Sequence, residues 1–367
     1  MTLITTNTRR DAFPSLPPAA GAKWSFATRR ALRADAVALD TDLDSVCSGD
    51  LVLAEVTRIG SHKRLQLADG RFSPLWPGDR IVLACADRYA VDQFHGAARL
   101  SHEGADLLAD GGIVGEILSR NGRVSQGTRL TVLGRLANEE GAVLNVARYA
   151  LPLAPAGRPR HIIAVVGTGM NAGKTAATAA LVNGFARLGR RVAAIKATGT
   201  GSFGDVFEYE AAGAARVLDF TDAGMASTYL QPTDRIVSAL DLLLAHAAEC
   251  DVALVELADG VSQVETAALL SRPDVVARFD ATILAAPEAM AARGGLSWLA
   301  ERDIRPVALS GLITRAPLAA EEAARATGLP VLSREALSDP ATASALEAEW
   351  STQSHEMDMH AQARDAA

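Results

Sequence analysis

Nine residues in the middle of the chain carry the clearest chemistry. Gly167-Thr168-Gly169-Met170-Asn171-Ala172-Gly173-Lys174-Thr175 is a glycine-rich turn that closes on Gly-Lys-Thr. Backbone N–H groups in such a turn wrap phosphate oxygens. The lysine bridges the outer phosphates, and the hydroxyl that follows holds Mg²⁺. In the usual spacing the first glycine would stand at position 168, which is Thr168; here it lies one residue earlier, at Gly167. The loop is therefore a longer form of the phosphate cradle.

Two further clusters have residue types that suit phosphoryl chemistry, which needs charge neutralisation, positioning and a metal. Ile195-Lys196-Ala197-Thr198-Gly199-Thr200-Gly201-Ser202-Phe203-Gly204-Asp205 offers a second lysine at a strand end, before a glycine-rich loop that lets the backbone approach a ligand. Asp205 is a second metal or water ligand, or neither. Val252-Ala253-Leu254-Val255-Glu256-Leu257-Ala258-Asp259-Gly260 ends a buried apolar run on an acid. Such an acid needs a cation beside it, and Mg²⁺ or Lys174 would serve. Glu256 is the first choice for this carboxylate and Asp259 the second. The small, polar stretch Asp222 to Tyr229 either contacts substrate through Ser227, Thr228 or Tyr229, or caps the next helix.

These residues need elements to hold them. Ile162 to Val166 is an apolar strand leading into the loop, and a helix is expected from about Lys174 to Leu188, stopped by Gly189. Strands are expected at 191–195, 252–256, 281–286, 306–313 and 330–332. Helices are expected at 208–218, 236–247, 295–302, 321–327 and 342–350. This alternation predicts a doubly wound, mostly parallel α/β sheet with ligand residues at the C-terminal strand ends.

Upstream the pattern differs. Residues 1–25 read as an irregular arm, with Phe13-Pro14-Ser15-Leu16-Pro17-Pro18 unable to sustain a helix or sheet, and a short helix is expected at 26–37. Short β-like runs follow at 51–60, 64–71, 80–85, 112–118, 129–134 and 143–146, with Asp69-Gly70 marking a hairpin. Residues 26–150 are thus expected to form a small, mainly β, barrel-like or sandwich domain. Asp92 to Gly96 reads as a polar loop able to meet a substrate or merely solvated. His62-Lys63-Arg64 reads as a solvated hairpin tip or a small anion patch. Residues 151–160, with three prolines, form a linker to the phosphate-loop domain at 161–350. The tail from 351 is expected to be disordered. Its His355, Met357, Met359 and His360 offer at most a soft-metal site.

The net charge of −7 and the lack of a dense basic block argue against nucleic acid or anionic membrane as a partner. No run reaches the roughly 18 apolar residues of a span, and the start has no signal-peptide core. Cys47, Cys85 and Cys250 lack metal spacing and read as buried free thiols of a cytoplasmic protein.

With these pieces placed, residues 162–332 resemble the dethiobiotin-synthetase-like group of P-loop proteins. That group also holds cobyric-acid-type amidoligases and the Min/Par ATPases. Dethiobiotin synthetases use the same longer loop, a lysine after the second strand, and Val-Glu-Gly-Ala-Gly-Gly after a later one, to which Val255-Glu256-Leu257-Ala258-Asp259-Gly260 is similar. The resemblance implies Mg²⁺ at Glu256 and Asp205, with Thr175, and base recognition near Thr314 and Arg315. It also implies a homodimer. The chain departs from the family in four places: no proline follows Lys196, Leu257-Ala258-Asp259-Gly260 replaces the glycine turn, no base-reading asparagine stands near Thr314, and the N-terminal β domain is additional. ATP and GTP are therefore not separated, and the chain reads as a branch other than the biotin enzyme. Gly169 stands where Min/Par ATPases carry a signature lysine, which disfavours a switch of that type. The cysteines do not provide an amidoligase nucleophile.

Three functions follow. The first is an ATP- (or GTP-) and Mg²⁺-dependent enzyme that phosphorylates a carboxylate-like small molecule for ligation or cyclisation, with Lys174, Lys196 and Glu256 as its catalytic groups. The second is a nucleotide-binding accessory or regulatory protein for a partner enzyme. The third is an acyltransferase whose loop takes a phosphate-bearing cofactor such as coenzyme A.

Overall fold

The structure is a computed structural model, and it describes residues 18–348. The arm before residue 18, the tail from 351 with its histidines and methionines, and Trp350 lie outside the described residues.

The N-terminal strands are β1 (Lys23–Trp24), β2 (Ala38–Asp40), β3 (Leu51–Arg58), β4 (Arg64–Gln66), β5 (Phe72–Pro74), β6 (Arg80–Cys85), β7 (Arg88–Tyr89), β8 (Phe94–Ala97), β9 (Ala105–Ala109), β10 (Ile113–Arg120) and β11 (Thr128–Ala137). Strands β6, β3, β11, β9 and β10 pair in that order, and β10 returns to pair β6 in parallel, so five strands close into a small barrel. Closure removes free edges. Alternation then divides β3: Val52, Ala54 and Val56 join Ile81, Leu83, Leu107 and Leu130 in one core, while Leu51 and Leu53 join Val82, Leu108, Trp24 and Ala27 in another. The second cluster includes Ala226 of the following domain, so the barrel's outer face is packed as well. The expected hairpin forms as β4–β5 around Asp69-Gly70.

The following strands are β12 (His161–Gly167), β13 (Val192–Lys196), β14 (Arg216–Asp219), β15 (Val252–Glu256), β16 (Ala281–Ala285) and β17 (Ala308–Ser310). All pair in parallel, in the order β14-β13-β15-β12-β16-β17. The principal helices are α1 (Lys174–Arg187), α2 (Phe203–Ala211), α3 (Thr233–His246), α4 (Val264–Leu270), α5 (Pro273–Val276), α6 (Ala289–Ala300) and α7 (Pro317–Thr327). Both sheet faces are covered. Ile162, Ala164 and Val166 of β12 pack with α3, α4 and α6, while Ile163 and Val165 pack with Ala177, Leu181 and Phe185 of α1. A strand buried on both faces reads as a continuous apolar run, as 162–166 does. This is the expected doubly wound α/β fold preceded by a barrel-like β domain. Residues 151–160 hold no helix or strand, and Leu151 N–H donates to Asp222 O at 2.7 Å. Among the described residues no helix is long and apolar enough to cross a membrane.

Several local expectations are corrected. Residues 26–37 form two 3₁₀ turns, not a helix, because Ala27 and Val37 N–H groups donate to Gly111 and Ala137 carbonyls of the barrel. The helix expected at 208–218 starts earlier and ends at Ala211; Gly213 at φ +102° breaks it, and 216–219 is strand β14. Residues 143–146 and 330–332 make only single bridges, at Val143, Asn145 and Val331. Pro330 has no N–H to extend a ladder. The stretch 92–96 is a loop only to Gln93, since β8 begins at Phe94. Strands β7 and β9 and helices α4 and α5 were not expected. His62 is buried rather than solvated, and Cys47 is exposed, whereas Cys85 and Cys250 are buried.

Candidate functional site

The parallel register creates the site. It places Asp219, Lys196 and Glu256 side by side on β14, β13 and β15. Glu256 also lies level with Val165 of β12, just before the phosphate loop. The loop leaves the C-terminal end of a central strand and enters α1. The positive end of this 14-residue helix therefore faces the cluster.

The displaced glycine has a steric reason. A Cβ at Gly167 would lie 2.9 Å from Lys174 Cδ and 3.1 Å from its Nζ. Bare backbone at 167 thus makes room for the lysine to fold back over the loop. Lys174 Nζ donates to Gly169 O at 3.0 Å and to Asp259 O at 2.6 Å. Burial depresses its pKa, and Glu256 and Asp259 oppose that shift. Asn171, at φ +62°, donates from Nδ2 to Asp92 Oδ2 of the β domain at 3.2 Å.

Thr175, Asp205 and Glu256 converge. Thr175 Oγ1 donates to Asp205 Oδ1 at 3.1 Å and lies 3.4 Å from Glu256 Oε1. Asp205 Oδ2 pairs with Lys196 Nζ, and Glu256 Oε2 accepts from the Tyr209 hydroxyl. Burial acts to lower the Lys196 pKa, but Asp205 and Glu256 outweigh it and hold the ammonium above the ordinary lysine range. Tyr209 is raised too, by burial and then by Glu256, so it stays a neutral donor. Tyr209 was not singled out from sequence, because an aromatic on a short amphipathic helix reads as core.

Helix α2 carries both Asp205 and Tyr209, and the β domain helps to set its start. Ser202 caps it, and Gln66 Oε1 of β4 accepts the Phe203 N–H at 2.8 Å. Phe203 packs edge-on against Phe72, 4.7 Å between centroids, and against Phe26.

The barrel meets the C-terminal strand ends and walls one side of an open cavity of about 760 Å³ at the site. Met170, Asn171, Gly173, Lys174 and Thr175 line it, with Lys196, Asp205, Glu256 and Asp259. From the β domain come Arg88, Tyr89, Asp92, Gln93 and Asp110. Thr228 and Tyr229 also reach it. Ser227 instead accepts the Tyr229 N–H within the loop; it does not cap the next helix, whose N-cap is Pro232 with no side-chain bond. A second cavity of about 530 Å³ adjoins Thr168 and Gly169. Ala172 is buried within the loop, and Leu312 N–H donates to its carbonyl. Arg315 lines the main cavity, whereas Thr314 lies outside its lining and donates to Gly311 O at 2.8 Å. His95 points at the Tyr229 hydroxyl, 3.4 Å away.

The donor set suits a hard cation. Thr175, Asp205 and Glu256 offer only oxygens, and no group of three His, Cys, Asp or Glu side chains is assembled among the described residues. Mg²⁺ takes one or two protein carboxylates and completes its shell with phosphate and water, so the set fits.

The strand–loop–helix geometry defines the chain as a P-loop α/β protein. No family model and no curated protein matches the sequence. Solved structures that resemble parts of it include the signal recognition particle receptor FtsY from Elizabethkingia anophelis, at 16% identity over 47% of this chain and 56% of that one, TM-score 0.32. A duf1611 family protein from Anabaena variabilis is 15% identical over 53% and 60%, TM-score 0.34. A nucleotide-binding protein in complex with ADP from Archaeoglobus fulgidus is 16% identical over 52% and 90%, TM-score 0.36. The matched part of this chain spans less than two thirds of the first two.

Proposed function

We propose that the chain is a Mg²⁺-dependent nucleotide-binding enzyme that transfers the terminal phosphoryl group of ATP or GTP to a carboxylate-bearing small molecule. The carboxylate oxygen forms a bond to phosphorus as the bridging bond to the nucleotide breaks. The nucleoside diphosphate leaves with that electron pair, and an acyl phosphate remains for ligation or cyclisation.

The observation that carries the reading is the gathering of Lys174, Thr175, Lys196, Asp205 and Glu256 around one cavity with a wall from a second domain. A nucleotide switch needs the loop and a metal ligand. It does not need a second lysine paired with a carboxylate or a walled space beyond the phosphates. Lys174 leaves its two carbonyl partners to meet the outer phosphates, and Lys196 neutralises charge on the transferring group. Tyr209 holds one oxygen of Glu256, which leaves the other facing Thr175. Mg²⁺ at the Thr175, Asp205 and Glu256 oxygens would offset phosphate charge and fix the outer phosphates for displacement. The β domain supplies the second wall of the cavity, where the acceptor would bind.

The test is a thermal-shift panel of ATP, GTP and coenzyme A, with and without Mg²⁺. A nucleoside triphosphate at about 100 times its Kd should stabilise the protein by roughly 2.7 kcal/mol, more tightly with Mg²⁺, and Lys174→Ala should abolish the shift. Binding of coenzyme A with no nucleotide response would replace this reading with the acyltransferase.

A further inference from the structure

Arg88 is at odds with its surroundings. It lies on β7 in the cavity wall, and its exposure is only 9%. One Nη donates to Gln93 Oε1 at 3.1 Å. The other Nη and Nε are buried with no hydrogen-bond partner. A buried guanidinium with free donors is destabilising. The other buried arginine of the barrel, Arg135, has both Nη groups paired with Asp40 and Asp50 and leaves only its Nε without a partner. Acids do stand near Arg88, but Asp110 accepts from Gln66 and Asp92 from Asn171. Burial lowers the Arg88 pKa to about 10, and Asp110, Asp92 and Asp259 oppose the fall, so the group is charged at neutral pH.

A cation held in a cavity wall with unused donors is a recognition element for an oxyanion. The phosphate loop has its own cations in Lys174 and Lys196, whereas Arg88 belongs to the other domain and lines the same cavity with Asp92 and Gln93. We propose that Arg88 binds the carboxylate of the acceptor molecule, so that the β domain selects the substrate while the P-loop domain supplies the phosphoryl donor. Calling this molecule the acceptor rests on the phosphoryl-transfer reading; the anion site itself does not.

The experiment is calorimetric titration of the full-length protein with malonate, succinate, glutarate and benzoate, each with and without Mg²⁺-ATP. Putrescine and 1,4-butanediol serve as cationic and neutral controls. At least one carboxylate should bind saturably and the controls should not. Arg88→Met should weaken that carboxylate on the order of 10- to 100-fold and leave the Mg²⁺-ATP affinity unchanged. Arg88→Lys should fall between the two. The ligand-free Met variant should melt no lower than the wild type, because it removes an unpaired buried charge. The inference is overturned if no carboxylate binds the wild type or if binding survives Arg88→Met. It is equally overturned if Mg²⁺-ATP affinity drops with the substitution, which would place Arg88 on the nucleotide. A Met variant that fails to fold would make Arg88 structural and also overturn it. Carboxylate binding through Arg88 without any nucleotide response would keep this site and remove the phosphoryl-transfer reading. Lys174-dependent nucleotide binding with no carboxylate response would do the reverse.

Discussion

Lys174, Thr175, Lys196 and Glu256 are spread over more than eighty positions, yet each was singled out from its local pattern, while Asp205 stayed open until the resemblance pointed to it. Those four end an apolar strand or open a helix after glycines. Their partners were not recognisable. Tyr209 and Arg88 carry no local signal, since what marks them is a hydrogen bond in one case and its lack in the other. Tyr209→Phe removes a donor from a carboxylate that is 2% exposed. Stability should fall by about 1–3 kcal/mol in urea titration. The Mg²⁺ concentration for half-maximal nucleotide tightening should rise roughly 10-fold, because Glu256 loses the bond that orients it. An unchanged Mg²⁺ dependence would mean that Glu256 is not a metal ligand.

Among the elements, the strands of the parallel sheet were legible because burial on both faces leaves long apolar runs. Strand β14 was not: four residues, Arg216–Asp219, follow a helix so closely that helical spacing absorbs them. The barrel's strands were seen in outline, but its closure was not. The closing pair, β6 with β10, joins positions near 84 and 113 in parallel, a contact with no local sequence mark. The link between β3 and β4 is fixed by His62, whose ring nitrogen lies 3.0 Å from Leu108 O and whose ring meets Phe94 edge-on. Burial, aided by Arg88, lowers the His62 pKa from 6.5 to about 4. The native state therefore takes up its proton later than the unfolded chain. Stability from this group is complete above pH 6.5 and is lost as pH falls towards 4, by about 3 kcal/mol. Urea titrations at pH 7 and pH 4.5 should show that decline, and His62→Gln should flatten it. A slope that persists in the variant would assign the loss to other groups.

At the scale of the molecule, the sequence predicts a β region and a phosphate-loop region joined by a proline-rich stretch, with no sign of how they meet. The decisive contacts are long-range and polar. Arg29 reaches from the β domain to Asp219 and Asp222, at 3.2 and 2.9 Å, and also bonds Thr221. Burial disfavours its charge, yet the two aspartates raise its pKa overall. Arg29→Ala would leave Asp219 without its arginine, while Asp222 keeps Arg30 at 3.6 Å, and should cost about 3 kcal/mol. Hydrogen exchange should then show the barrel opening before the parallel sheet; a loss below about 1 kcal/mol with one concerted transition would refute the assignment. Closer in, the two backbones touch: a Cβ placed on Gly111 would overlap the carbonyl oxygen of Gly201, in the loop that leads to Asp205. This contact has a mechanical meaning. The Lys196 loop is clamped between its own sheet and a foreign backbone, so one methyl group at residue 111 would act as a wedge, prying the cleft apart without altering any residue that faces the ligand.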